Sequence, residues 1–169
     1  MNSSLALKTI HNNIKMNARN KMDEIELGYF DEKRMTLPFQ IKCPDNTLWE
    51  GQYHHGLIFF PNNYPFQPPK VCFKSQVFHP NVYNNKQDIY NYGYICISIL
   101  DKCDWSPAQT LQTIFLSILS LFDEPGINSP ANVDANKMFM SDEEGLKMKF
   151  KNEMSMGMHK KIDIYQYIY

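Results

Sequence analysis

The sequence lacks any apolar run of the length that a membrane-spanning helix needs. Its first residues, MNSSLALKTIHNN, contain neither a long apolar core nor a small-residue cleavage site, so we expect no secretory leader. An excess of charge of one sign is also lacking, because the formal net charge is −1. We therefore expect no membrane partner and no broad electrostatic surface for nucleic acid.

Spacings typical of metal sites are absent from the sequence as well. It contains no C-x-x-C or H-x-x-x-H pattern and its five histidines are scattered, so we expect no bound metal. Without a leader, the four cysteines are expected to be free thiols, and the protein to be cytoplasmic and/or nuclear. Two of them, Cys43 and Cys72, belong to strand-like runs and are expected to be structural. The other two are Cys96 and Cys103.

Apolar residues make up 43% of the 169 residues, which suits one globular domain with a hydrophobic core. We predict a single domain over residues 1–169, with a core over about 4–155 and a tail over about 156–169. The tail ends in KKIDIYQYIY, and this stretch either packs back on the domain or extends the last helix.

The N-terminal segment has helical periodicity. Leu7, Ile10 and Ile14 follow two candidate N-cap serines, which predicts a helix over about residues 4–20. The other face of this helix is either merely solvated or docks on an acidic partner. Its basic residues are Lys8, Lys15 and Arg19.

The pattern then changes to that of strands. Residues 35–42 alternate between apolar and polar side chains, which predicts a half-buried strand, and Pro38 favours an edge position or a bulge. Two further strand-like runs, QYHHGLIFF and KVCFKSQVF, are separated by turn-forming residues. We predict an antiparallel meander.

The C-terminal half has the patterns of helices. The strongest runs from Leu111 to Phe122, and Leu116 and Leu121 widen its apolar surface, so we expect it to be buried on most sides. A short helix is predicted over about residues 132–140. Ser141 and Glu144 have capping-box spacing and predict the start of another. Helix, strands and then helices indicate an α+β domain.

One cysteine lies in an unusual context. Taken alone, YGYICISIL at residues 92–100 predicts a strand that buries the Cys96 thiol as inert core. Its neighbours change that interpretation, because YPFQPPKVCF, HPN, GYICISIL and WSPAQTLQTIFLSI occur in this order. Together these motifs resemble the ubiquitin-conjugating enzymes, over about residues 36–135. The resemblance implies an N-terminal helix, a four-stranded antiparallel meander sheet, a central buried helix and C-terminal helices.

The resemblance also implies a chemistry. Cys96 matches the cysteine that accepts ubiquitin, or a ubiquitin-like modifier, from an activating enzyme as a thioester. A lysine of a substrate protein, usually guided by a ligase, then attacks the thioester. No bound cofactor is implied, since ATP is used by the activating enzyme. Cys103, seven residues further on, has no counterpart in the motif.

Other residues around Cys96 acquire expected roles from the same resemblance. Asn81 of the H-P-N motif either stabilises the oxyanion or supports a nearby loop. His79 is expected to be structural rather than a general base, and Pro80 favours an extended His79. Ser129 stands where the family often has a carboxylate that prepares the lysine, and Ser98 is neutral too, so this site is less acidic than usual.

Partner surfaces are implied residue by residue. Phe66 matches an exposed ligase contact, as do Pro107 and Ala108, while Lys8, Lys15 and Arg19 match the helix that docks on the activating enzyme. Trp105 is expected to be a packing anchor. The Tyr64–Pro65 peptide bond is predicted to be cis.

Between Asn81 and Cys96 the sequence is longer than usual for the family. The two residues are 15 positions apart, and residues 82–93 suggest an enlarged exposed loop. This loop is either a tolerated insertion or a lip over the thioester that affects lysine access.

Two alternatives stay open. The short connection after the first helix, without a PPxG-like segment, resembles the neddylation branch as much as the ubiquitin branch, so the modifier is not fixed. An inactive binding module is a second alternative, against which the presence of Cys96 and Asn81 argues. A general thiol hydrolase is disfavoured, because no cysteine–histidine pairing is evident.

Overall fold

The computed structural model describes residues 4–84, 93–156 and 160–166. Within these ranges an N-terminal helix is followed by a four-stranded sheet and then by three more helices, which confirms the predicted α+β class. In chain order the elements are α1 (Ser4–Arg19), β1 (Ile25–Leu27), β2 (Thr36–Lys42), β3 (Tyr53–Phe59), β4 (Lys70–Phe73), α2 (Leu111–Asp123), α3 (Val133–Phe139) and α4 (Glu144–Met156).

The sheet is an antiparallel meander in the order β1-β2-β3-β4. Its fourth strand, implied by the family resemblance but not identified from periodicity, is the three-residue β1. Pro38 lies inside β2, yet its carbonyl accepts from the Gly28 N–H at 2.9 Å, just beyond the end of β1. The N and C=O of a residue in an antiparallel strand point to the same side, so the Pro38 nitrogen, which lacks a hydrogen, faces Gly28, beyond the end of β1. The prediction that Pro38 marks an edge strand is wrong, because β2 is an inner strand of the sheet.

The inner face of the sheet packs on α2. Both faces of β2 are buried from Thr36 to Ile41, so the prediction of a half-buried strand is wrong. On the inner face the Phe39 ring lies 5.7 Å from that of Phe73 on β4 and 5.5 Å from that of Phe115 on α2. Such edge-to-face pairs add specific geometry to the burial of apolar area. This layer fixes α2 against the strands.

The helix α2 begins at a capping box, in which Thr110 and Thr113 each accept from the other's backbone N–H. The predicted apolar face is confirmed as buried, at Leu111, Ile114, Phe115, Ile118 and Phe122. Burial on most sides is confirmed, since the exposed residues Leu116, Ser120 and Asp123 form one stripe, but Leu116, which is 50% exposed, is not part of the buried surface. The apolar surface of α2 is therefore wider than the part of it that the described residues bury.

A second aromatic cluster forms around Trp49, in the loop between β2 and β3. The buried indole donates to the Phe78 carbonyl at 3.0 Å, and its ring lies 4.6 Å from that of His79 and 5.9 Å from that of Phe150 on α4. Trp49 thus joins the C-terminal helices to the sheet at the place where the H-P-N motif begins.

Two predicted boundaries are corrected by the structure. The run at residues 70–78 is a strand only as far as Phe73, because the following residues leave the ladder. The last helix begins at Glu144 rather than next to Ser141, whose hydroxyl accepts from the Glu143 N–H at 3.1 Å. Among the described helices, none combines the length and hydropathy needed to cross a membrane.

Burial on α2 gives a direct test of this packing. Leu111→Ala should lower the free energy of unfolding by about 2–5 kcal/mol, because it leaves a cavity in the core. The same substitution at exposed Leu116 should cost less than about 1 kcal/mol. Urea unfolding of both variants measures the difference, and equal losses would show that α2 is oriented differently.

Candidate active site

The H-P-N turn is held by its buried histidine. His79 is 1% exposed; its Nδ1 accepts from the Asn81 N–H at 2.9 Å, and its Nε2 donates to the Leu121 carbonyl at 2.9 Å. Both ring nitrogens are therefore occupied by backbone groups. Burial lowers the pKa of His79 from 6.5 to about 4, so the ring is neutral near pH 7. A neutral ring with no free nitrogen cannot act as a general base.

Asn81 joins three segments of the chain. Its Nδ2 donates to the Gly126 carbonyl at 2.8 Å, and its Oδ1 accepts from the Gly126 N–H at 2.8 Å. Its own backbone carbonyl accepts from the Cys96 N–H at 2.8 Å. The preceding carbonyl, of Pro80, accepts from the Asn132 N–H at the start of α3. The side chain of Asn81 thus braces the loop after α2, while its backbone positions Cys96.

The segment before Cys96 is hydrogen-bonded to β4. The Gly93 carbonyl accepts from the Phe73 N–H at 2.8 Å, and the Ile95 N–H donates to the Val71 carbonyl at 3.0 Å. Gly93 has a φ of +81°, and a Cβ there would collide with the backbone of Phe73. These contacts fix the chain on β4 immediately before the cysteine.

The interpretation of YGYICISIL as a strand that buries its thiol is wrong. Pairing ends at Cys96, which is half-buried, and Ser98–Leu100 form a 3-10 turn. The cysteine therefore lies where a short bridge ends and its side chain reaches the surface. A nucleophile needs this combination of fixed backbone and accessible sulfur.

Tyr83 is a site residue that the sequence did not single out. Val82 pairs with Ile95, so Tyr83 and Cys96 are diagonal neighbours on one face of this bridge. The charge that Cys96 can carry raises the pKa of Tyr83, and partial burial and hydrogen bonding to Cys96 add to this effect. Its location two residues after Asn81 is the feature of the sequence that could have identified Tyr83.

The other three thiols lie in different environments, and all four cysteines are free. Burial raises the pKa of Cys43 to about 12 and also raises the pKa of Cys72. Neither is suited to form a thiolate near neutral pH. Cys103 is exposed, in a turn where its N–H donates to the Asp101 carboxylate at 2.8 Å.

Two positions at which the family often has a carboxylate are serines here. Ser98 and Ser129 are both exposed, and Asp123 and Glu124 lie at the end of α2. In the part of the chain that the structure describes, no three histidine, cysteine or acidic residues converge as metal ligands. Most of the 82–93 loop, residues 85–92, lies outside the described residues.

Two exposed loops bring the expected ligase contacts together. Phe66 is 66% exposed on one loop, and Pro107 and Ala108 are exposed on the other. The Trp105 indole joins the loops by donating to the Pro65 carbonyl at 2.7 Å. The Tyr64–Pro65 peptide bond is cis, which confirms that prediction.

The basic residues of α1 are all exposed, while Ala6 and Ile10 on the opposite side are fully buried. The helix therefore presents Lys8, Lys15 and Arg19 to solvent, away from the sheet.

The structure combines an N-terminal helix and a four-stranded meander with a half-buried cysteine that an H-P-N turn holds in place. The chain belongs to the ubiquitin-conjugating enzyme family, whose sequence model matches residues 9–154. The members of this family are transferases of the ubiquitin conjugation pathway.

Individual relatives cover the chain to different extents. A ubiquitin-conjugating enzyme E2 of African swine fever virus is 45% identical over 106 residues, which are 59% of this chain and 45% of the viral protein. The match thus spans just under half of that relative's length. Ubiquitin-conjugating enzyme E2 15 of Schizosaccharomyces pombe is 32% identical over 89% of this chain and 94% of its own. Ubiquitin-conjugating enzyme E2 13 of Arabidopsis thaliana is 34% identical over 88% and 93%.

The buried neutral His79 predicts a pH dependence of stability. The unfolded chain binds a proton at this residue below about pH 6.5, whereas the folded chain does so only near pH 4. The free energy of unfolding should therefore fall as the pH drops through this window, by up to about 1.4 kcal/mol per pH unit from this group.

The comparison of the wild type with His79→Gln isolates this contribution. Urea unfolding at several pH values should give a shallower slope for His79→Gln than for the wild type. Equal slopes for the wild type and His79→Gln would contradict the neutral buried ring.

Proposed function

We propose that this protein accepts ubiquitin from an activating enzyme as a thioester on Cys96 and transfers it to a lysine of a substrate protein. The observation that carries the proposal is the backbone hydrogen bond between Cys96 and Asn81, which fixes a partly exposed thiol beside the H-P-N turn. Membership of the family supplies the reaction type.

The two steps balance without a bound metal or organic cofactor. The Cys96 sulfur attacks the modifier's thioester carbonyl on the activating enzyme, and that enzyme's thiol leaves. The lysine amine next attacks the new thioester, so a C–N bond forms and the C–S bond to Cys96 breaks. The amine proton is lost and the Cys96 thiol is regenerated. ATP is consumed earlier, by the activating enzyme.

Asn81 serves this reaction in two ways. One N–H of its amide is used by the Gly126 carbonyl, and an amide nitrogen carries a second donor. The first bond braces the loop over residues 124–128, and we infer that the second donor serves the oxyanion that forms as the lysine attacks. Loop support and oxyanion stabilisation are therefore compatible in one side chain.

We infer that the Tyr83 hydroxyl, which lies on the same face as Cys96, is a donor to the Cys96 sulfur during transfer. When the amine attacks, the sulfur departs with the bonding electrons and gains negative charge. A hydroxyl beside the sulfur stabilises that charge. Tyr83 in this way compensates in part for the neutral Ser98 and Ser129, of which Ser129 occupies the position of the family's acidic residue.

Two surfaces supply the partners. The loops with Phe66 and Pro107, joined through Trp105, form the ligase contact. The exposed basic residues of α1 dock on the activating enzyme. We place this activity in the cytoplasm and/or nucleus.

Replacing the nucleophile tests the proposal. With activating enzyme, ATP and ubiquitin, the wild type should form an adduct that thiols cleave, because a thioester exchanges with free thiol. Cys96→Ser should form an oxygen ester that thiols do not cleave, and Cys103→Ser should behave like the wild type. The adducts are resolved by electrophoresis with and without reductant.

The same assay separates the alternatives. A thiol-labile adduct on Cys96→Ser would move the nucleophile elsewhere, and no adduct with any activating enzyme would indicate a binding module. If the activating enzyme of another modifier loads Cys96 and that of ubiquitin does not, the same chemistry applies with that modifier in place of ubiquitin.

The Tyr83 hydroxyl predicts a rate effect. Tyr83→Phe should slow discharge of a preformed Cys96 thioester to free lysine by about tenfold, since a charge-assisted hydrogen bond is lost. Tyr53→Phe, which removes a hydroxyl from the start of β3, should leave the rate unchanged. Single-turnover discharge measures both, and an unaltered rate in Tyr83→Phe would remove this residue from the mechanism.

A further inference from the structure

The loop between α2 and α3, residues 125–131, contains neither helix nor strand. Two asparagine side chains bind the carbonyl groups of consecutive residues in this loop. Asn81 Nδ2 donates to the Gly126 carbonyl at 2.8 Å, and Asn136 Nδ2 donates to the Ile127 carbonyl at 3.2 Å. The loop is therefore held both by the H-P-N turn and by α3.

The H-P-N turn and α3 are also joined directly to each other. The Asn132 N–H, immediately before α3, donates to the Pro80 carbonyl at 2.9 Å, and the Asn136 N–H donates to the Asn132 carbonyl at 3.0 Å. Asn132 is buried, and its Oδ1 caps the helix by accepting from the Ala135 N–H at 3.0 Å. These bonds fix the place of Asn136 relative to the H-P-N turn.

Together the contacts close a ring, hereafter the asparagine circuit. Each of its steps is a hydrogen bond or a step to a neighbour in the chain. In order it passes through Asn81, Gly126, Ile127, Asn136, Asn132 and Pro80. Removing the side-chain amide of Asn136 opens the circuit between α3 and the loop.

Asn81 has little freedom at its place in the circuit. In addition to the bond from its Nδ2, its Oδ1 accepts from the Gly126 N–H at 2.8 Å, and a Cβ on Gly126 would lie only 3.1 Å from Nδ2. Two hydrogen bonds to one residue fix the plane of the amide and with it the direction of the second N–H. A displacement of Gly126 would therefore turn the donor that we assign to the oxyanion.

We propose that Asn136 is a positioning residue for transfer from Cys96. By holding the Ile127 carbonyl it keeps Gly126 in place, and through Gly126 it orients the Asn81 amide toward the oxyanion. A misplacement of about 1 Å, caused from a distance, can cost about a hundredfold in rate. The inference rests on the proposed function, because it gives Asn136 a part in that reaction, in which Asn136 acts only through Asn81.

Two substitutions remove the donor. Asn136→Ala and Asn136→Leu both lack the amide, and leucine keeps a branched side chain at this half-buried position. Lys137→Ala is the control at an exposed position of the same helix. Each variant is loaded with ubiquitin on Cys96, and single-turnover discharge is measured over a range of free lysine concentrations.

Both Asn136 variants should have a maximal discharge rate about tenfold below that of the wild type, with an unchanged KM for lysine. The split is expected because the oxyanion forms only as the lysine attacks, so its donor contributes nothing to lysine binding. Lys137→Ala should match the wild type. Wild-type discharge in either Asn136 variant, or a change confined to KM, would overturn the proposal.

A double-mutant cycle shows whether Asn136 acts through Asn81. In an Asn81→Ala background, Asn136→Ala should slow discharge no further, because the amide that it orients is gone. A second tenfold loss in the double variant would show that Asn136 acts by another route and would contradict the proposal.

The circuit itself is measured without any modifier. The side-chain amide resonances of Asn81 in isotope-labelled protein should shift in both Asn136 variants and stay in place in Lys137→Ala. Unchanged resonances would exclude the coupling between Asn136 and Asn81. If the resonances shift but the wild type accepts no ubiquitin, the proposed function fails and Asn136 has no part in a transfer.

Discussion

The structure depends on hydrogen bonds made by three consecutive residues, His79, Pro80 and Asn81. The histidine ring ties the turn to the end of α2, the proline carbonyl ties it to the start of α3, and the asparagine backbone holds Cys96. These bonds are buried, so each unmade partner would cost more than an exposed one. The packing of α2 and α3 therefore determines where the Cys96 sulfur lies.

This arrangement separates rigidity from reactivity. The backbone of Cys96 is fixed through its N–H, while its side chain lies at the surface beside Tyr83. Cys43 and Cys72 show the opposite case, since burial raises the pKa of both and keeps them as thiols. Among these three cysteines, position in the fold rather than residue type decides which one can react.

Periodicity predicted most of the fold, because long helices and the central strands have regular apolar patterns. It missed β1, whose three residues are too few for a pattern. It also made Cys96 part of a buried strand, because the contact that fixes the Cys96 backbone comes from a distant residue: its N–H donates to the Asn81 carbonyl, 15 positions earlier. The resemblance, not the local pattern, supplied the candidate nucleophile.

The tail shows the same limit. Its sequence left two conformations open, and the choice between them depends on Gln40, which lies 122 residues before Ile162. A polar residue in a strand is usually solvated, and only the assembled sheet shows that its amide binds a returning backbone. Contacts of this kind connect sites that no local pattern links.

The central claim is that the H-P-N turn both positions Cys96 and assists transfer from it. The most direct measurement is single-turnover discharge of a preformed Cys96 thioester to free lysine in Asn81→Ala. The control is Asn128→Ala, in the loop that the Asn81 side chain braces. The account predicts that both variants accept the modifier, and that discharge falls about a hundredfold only in Asn81→Ala. Discharge at the wild-type rate in Asn81→Ala would contradict it.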